Sequence, residues 1–111
     1  MKRLLLLLTV ALAGCVSPEE SGVKVIVGAK LMAAPGRAPL DYSVVVIEKG
    51  KFRDVGPQQS TPVPKGAEMT RGNGLTIEPL PGGNPIEAGQ PANLILRGSP
   101  DRTMKAGEWV R

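Results

Sequence analysis

Glycine and proline interrupt this chain so often that few folds are open to it: 14 Gly and 11 Pro make up 25 of its 111 residues. That fraction approaches the range in which chains cease to pack, but runs of Val, Ile and Leu stand between the breaks and argue for short strands instead. No segment holds an apolar 3.6-residue repeat long enough for a helix. The length admits one small domain and has no room for a catalytic barrel of ~250 residues. The expected fold class is therefore all-β, a small β-sandwich or partly open barrel of seven or so strands.

From residue 23 on the pattern is strand, turn, strand. VKVIV at 23–27 ends at Gly28 and is continued by residues 29–32 before Pro35-Gly36 breaks the chain. Residues 42–48 and 51–56 flank Lys49-Gly50, which reads as a tight hairpin, because a two-residue turn needs positive φ and glycine supplies it. Pro57, Pro62 and Pro64 make the next segment an extended loop that lacks donors for a sheet. Residues 67–71 and 75–80 read as two strands of a further hairpin across Gly72-Asn73-Gly74, Asn-Gly being hairpin chemistry. The strongest break is Pro81-Gly82-Gly83-Asn84-Pro85. After it come a turn at 86–91, a strand at 92–97 and a final hairpin that turns at Ala106-Gly107.

The N-terminus has a different character. Lys2 and Arg3 precede an apolar run at 4–12 and the small residues Ala13 and Gly14, which is the pattern of a secretion signal and far short of the ~20 apolar residues of a spanning helix. Leu12-Ala13-Gly14-Cys15 resembles the lipobox of bacterial lipoproteins. The resemblance implies cleavage between Gly14 and Cys15, and attachment of diacylglycerol to the Cys15 thiol with acylation of its new amine. Several acyl chains at ~0.8 kcal/mol per buried methylene make such an anchor effectively permanent. Three segments are thus expected: a signal peptide at 1–14, a lipidated tether at 15–22 and a β-sandwich domain at 23–111. The expected partner is membrane lipid through Cys15, at the cell envelope. Val16 in place of an aspartate favours the outer membrane if the envelope is Gram-negative.

Composition removes much chemistry. The chain has no histidine and one cysteine, which excludes His-ligated zinc, Ser-His-Asp and Cys-His nucleophiles and an internal disulfide. Without Lys2 and Arg3, 12 basic residues face 10 acidic ones, leaving +2, and the only aromatics are Tyr42, Phe52 and Trp109. That is no nucleic-acid signature. Glu19 and Glu20 read as linker charges, and Asp41, Glu48, Asp54, Glu68, Glu78, Glu87, Asp101 and Glu108 as solvated charges at strand ends and turns. Ser43, Ser60 and Ser99 have no base to activate them, and Gly82-Gly83 reads as a chain reversal, having no phosphate-loop spacing. Trp109 reads as a core anchor or edge cover before a ligand platform. No catalytic residue, metal ligand or cofactor is expected.

Several of these segments resemble the ends of metal-dependent amidohydrolases of the imidazolonepropionase-like type. Residues 25–32, VVVIEKGKFRDVG at 44–56, VPKGAEMT at 63–70 and GNGLTIEPLPG at 72–82 are similar to that family's N-terminal strands; IEAGQPANLILRGSPDRTMKAGEWVR at 86–111 is similar to its C-terminal end. In the family these ends form a composite β-sandwich beside a (β/α)8 barrel that holds the metals and active site. Here the barrel's place is taken by the turn around Leu80 to Asn84, so no barrel ligand has a counterpart. Asn93 departs from the family's usual aspartate and puts that carboxylate's local hydrogen bond in question. The resemblance implies a non-catalytic domain with a structural or interaction role. Two other classes stay open: a hydrolase component acting on carbon-nitrogen bonds, completed by a separate barrel subunit, and a module binding an envelope ligand. A sheet face formerly covered by the barrel must be polar, covered by the chain itself, or used for binding.

Overall fold

A valine-rich run with no polar alternation needs apolar cover on both faces, and that requirement organises the molecule. The computed structural model describes residues 22–110. The signal peptide, the Gly14/Cys15 cleavage and lipidation site, and the tether up to residue 21 lie outside the described residues.

Nine strands follow in order: β1 (Lys24–Val27), β2 (Lys30–Leu31), β3 (Ser43–Glu48), β4 (Lys51–Pro57), β5 (Glu68–Arg71), β6 (Thr76–Glu78), β7 (Leu94–Arg97), β8 (Arg102–Lys105) and β9 (Glu108–Trp109). They form two sheets, one ordered β4-β3-β1-β5 and the other β2-β6-β7-β8-β9. Between the sheets lies one core, to which the first contributes Ile26, Val45, Ile47 and Phe52 and the second Leu31, Ile77, Leu94, Leu96 and Met104, with Ile86 and Ala92 from the connection before β7. The protein is a small all-β sandwich.

The opening run divides between the sheets. At Gly28, with φ +95°, the chain leaves the first sheet after β1 and enters the second as β2. A Cβ there would strike the Asn73 side chain, so glycine serves both the turn and the close approach. The two tight hairpins form as the sequence predicts. Lys49 and Gly50 have φ of 54° and 77°, and Ala106 and Gly107 have 49° and 82°, so both central residues of each turn have the positive φ that matches strand twist. The two turns also abut: a Cβ on Gly107 would lie 2.9 Å from Gly50 Cα.

The third expected hairpin does not exist. β5 pairs in parallel with β1 in the first sheet, whereas β6 lies between β2 and β7 in the second, so residues 72–74 carry the chain between sheets. Turn chemistry is present, with the Leu75 N–H donating to the Gly72 carbonyl at 2.9 Å. Packing decides where the chain goes next: Gly72 is buried against Ala29 and Ile26, with no room for a Cβ, and this holds the bend at the place where β1 also changes sheet.

The outer face of the first sheet carries a second apolar cluster of Val23, Val25, Val44 and Val46, all buried, with Val27 and Ala67 packed on it. β4 and β5 stand at opposite edges and run in the same direction, so the connection at 58–67 has to cross from edge to edge. Ala67 packs on the valines, and the Thr61 hydroxyl lies against Gly56, which stands opposite Val44. The proline-rich loop is therefore a strap over this face, a place where its missing donors cost no sheet hydrogen bond.

Candidate functional site

The polar side chains singled out in the sequence are spread around the rim of the sandwich, and Glu48, Asp54, Glu78, Glu87, Asp101 and Glu108 each meet a cation. Glu87 pairs with Arg37 at 2.7 Å and Glu108 with Lys24 at 3.6 Å. Glu48 and Asp54 both lie near Arg53, at 3.6 and 3.5 Å. These are exposed or half-exposed pairs of the kind that contributes at most ~1 kcal/mol.

The densest cluster sits on the outer face of the second sheet. The Arg97 guanidinium donates from Nε to Glu78 Oε1 at 3.1 Å and from Nη1 to Asp101 Oδ2 at 3.0 Å. The other Asp101 oxygen accepts the Gly98 N–H at 2.9 Å. These donors, the Gly98 amide first and Arg97 second, hold the Asp101 carboxyl below its ordinary range, and Asp101 and Glu78 raise Arg97 in return. Two carboxylates are thus brought together, but both accept from one arginine, which is the chemistry of a loop clasp rather than of an acid/base pair. Among the described residues, no three His, Cys, Asp or Glu side chains gather in a way that could hold a metal ion.

The remaining candidates take structural places. Ser43 is buried and its Oγ donates to the Ala29 carbonyl at 2.8 Å, joining the two sheets at the β1–β2 crossing. Ser60 and Ser99 are exposed on loops. At Gly82-Gly83 the Gly83 N–H donates to the Leu80 carbonyl at 2.8 Å, closing a turn. Trp109 packs against the shared core with the Arg102 guanidinium 4.0 Å from its ring centroid, so the indole is an edge cover whose outer side is already stacked. Its Nε1 is buried without a partner among the described residues. Asn93 answers the question raised by the missing aspartate: its Oδ1 accepts the Ala106 N–H at 2.7 Å, so an amide oxygen supports the final turn.

Two features escape sequence reading. Tyr42, expected inside a strand, precedes β3 with φ +53° and is 64% exposed. It is held between Ser43, whose N–H and Oγ both reach the Ala29 carbonyl, and the Gln58 N–H, which its own carbonyl accepts. A hollow of about 410 Å³ borders residues 79–83, lined by Met32, Pro35, Leu80 and Arg97 among others. It depends on residues brought together from the β2–β3 and β6–β7 connections and from β7, which no local pattern reveals.

No protein-family model matches this chain, and no curated protein matches it either. Among solved structures it is similar to one described as the structural and catalytic characterization of molinate hydrolase, with 26% identity and a TM-score of 0.48. That likeness covers 59% of this chain and only 13% of the other, so this chain matches a small part of a far longer protein.

Proposed function

We propose that this chain is a non-catalytic, lipid-anchored domain of the cell envelope with a structural or interaction role, built on the flanking β-sandwich of an amidohydrolase. The observation that supports it best is the closure of the second sheet. Strands β2 and β6 precede the turn at 79–85 and strands β7–β9 follow it, and β6 pairs directly with β7 through Thr76↔Arg97, Ile77↔Leu96 and Glu78↔Ile95. The segments resembling the two ends of an amidohydrolase thus complete one sheet and one core with a short turn where a barrel would stand. The whole sequence contains no histidine to rebuild the lost metal site.

Anchoring follows from the lipobox-like residues 12–15 and the charged, apolar and small segments in register before them. The test is metabolic labelling with palmitate of bacteria producing the full chain, with metal analysis and amide-hydrolysis assays on the purified product. Label in the membrane fraction, lost in Cys15→Ser, with neither stoichiometric zinc nor turnover, is the expected result. Unlabelled protein in the cytosol overturns the anchor, and tight zinc with turnover overturns the non-catalytic reading. Recovery of a separate barrel subunit with hydrolase activity supports instead the alternative of an enzyme completed in trans.

A further inference from the structure

Sheet edges present unpaired N–H and C=O groups, and proteins ordinarily cover them, shorten them or interrupt them. Among the described residues, three of the four edges are treated in that way at least in part. The start of β4 is covered by the segment before β7: the Phe52 N–H donates to the Gln90 carbonyl at 2.9 Å and the Gly89 N–H to the Phe52 carbonyl at 2.8 Å. β2 exchanges hydrogen bonds with Leu40 in both directions, at 2.8 and 2.9 Å, and β9 is only two residues long. Among the described residues β5 is the exception. It runs four residues, Glu-Met-Thr-Arg, without proline, and Met69 on it is 52% exposed.

The parallel ladder with β1 fixes which groups are free. The Glu68 N–H donates to the Val23 carbonyl at 2.8 Å and the Gly72 N–H to the Val27 carbonyl at 2.7 Å, so the even-numbered residues of β5 face β1. The N–H and C=O of Met69 and Arg71 therefore point away from the sheet.

We propose that this edge pairs with the β5 edge of a second copy of the chain, antiparallel about a two-fold axis through Thr70. A two-fold axis normal to a continuous sheet lets only residues of equal parity face each other, which leaves three registers near the strand centre. Pairing Met69 with Met69 of the second copy would set Arg71 against Ala67, whose N–H is already used on the Pro64 carbonyl at 3.3 Å. Pairing Arg71 with Arg71 sets like charges directly opposite. In the third, Met69 faces Arg71 of the second copy and the reverse, so all four free groups of each edge are paired, four hydrogen bonds in total. On the outer face each methionine lies along the aliphatic stem of an arginine. At the axis Thr70 faces Thr70, a favourable cross-strand pair.

Four residues a side fall well short of the ~1,200 Å² of a standard interface, so the pair is weak and reversible in dilute solution. The pairing rests on strand geometry alone and is independent of the lipid anchor. A thiol at the axis traps it, since the two Thr70 residues form a non-hydrogen-bonded pair with Cα atoms ~4.5 Å apart, within disulfide range. In the full chain carrying Cys15→Ser, which removes the natural thiol, Thr70→Cys should form a disulfide-linked dimer under mild oxidation at least tenfold faster than Lys49→Cys on the remote hairpin turn. Adding Arg71→Pro removes two of the four donors without touching the bonds to β1, and should lower the rate to the control level. Met69→Lys in place of Arg71→Pro should do the same if the proline variant fails to fold. Cross-linking of Thr70→Cys no faster than the control overturns the proposal, as does faster cross-linking of Met69→Cys than of Thr70→Cys.

Discussion

The two sheets solve the same burial problem differently. In the first, β3 is buried at five consecutive positions and β1 carries apolar residues on both faces, Ile26 toward the core and Val25 and Val27 outward, so the sheet is sandwiched between the core and the strap at 58–67. In the second, β7 alternates: Leu94 and Leu96 enter the core, while Ile95 and Arg97 lie outward among Glu78, Thr76 and Thr103. A continuous apolar run forces a third layer, whereas an alternating one can leave its outer face to water and ion pairs. The sheet that keeps a polar outer face is also the one interrupted by the turn at 79–85.

One substitution on each outer face separates the two sheets most strongly. Val46→Lys places a charge beneath the strap and should cost about 4 kcal/mol or more, unfolding most of the population in urea titrations. Ile95→Lys, directly opposite Glu78, should change stability by less than about 1 kcal/mol. Equal losses at the two positions would mean that the outer faces are not different in kind. Next in size is Gly107→Ala at the contact between the hairpin turns. The added Cβ would lie 2.9 Å from Gly50 Cα at a residue with φ +82°, and a thermal melt should show a loss of about 2 kcal/mol. Asn93→Ala, which deprives the Ala106 N–H of its acceptor, should cost about 1 kcal/mol, whereas Asn93→Asp keeps an acceptor and should stay within about 0.5 kcal/mol of the parent.

The smallest effect concerns acid. Asp101 has a lowered pKa in the folded chain, so the unfolded chain binds its proton more readily and stability must fall as the pH drops. The contribution is present above the ordinary carboxyl value of 3.8 and is lost as the pH falls through the lower folded value. Solvent screening keeps it small. Asp101→Asn should flatten the stability profile in that window while leaving the profile at neutral pH nearly parallel to the parent's.

Legibility in the sequence followed the range of the interaction. The Lys49-Gly50 and Ala106-Gly107 hairpins were readable because each depends on two residues with positive φ. The run at 23–32 was readable as strand, but its division at Gly28 was not, since β1 and β2 are assigned to different sheets by partners distant in sequence. Gly72-Asn73-Gly74 announced a turn correctly and a hairpin wrongly: turn residues encode reversal, and only packing of Gly72 on Ala29 and Ile26 assigns the flanking strands to different sheets. The strap was legible as an extended loop but not as a cover, because an apolar run on β1 and β3 does not say which segment will lie over it. For the site, the absence of histidine excluded chemistry at once, while the Arg97 clasp with Glu78 and Asp101 needed the β6–β7 register to become visible.

The position of β1 has a mechanical consequence. It lies between β3 and β5 and continues into the second sheet as β2. A pull applied at Gly22 along that strand strains the hydrogen bonds to both neighbours at once rather than peeling them in turn, and through residues 28–31 it reaches the other sheet before either has opened. Tension entering from that side is thus spread over the whole body of the protein.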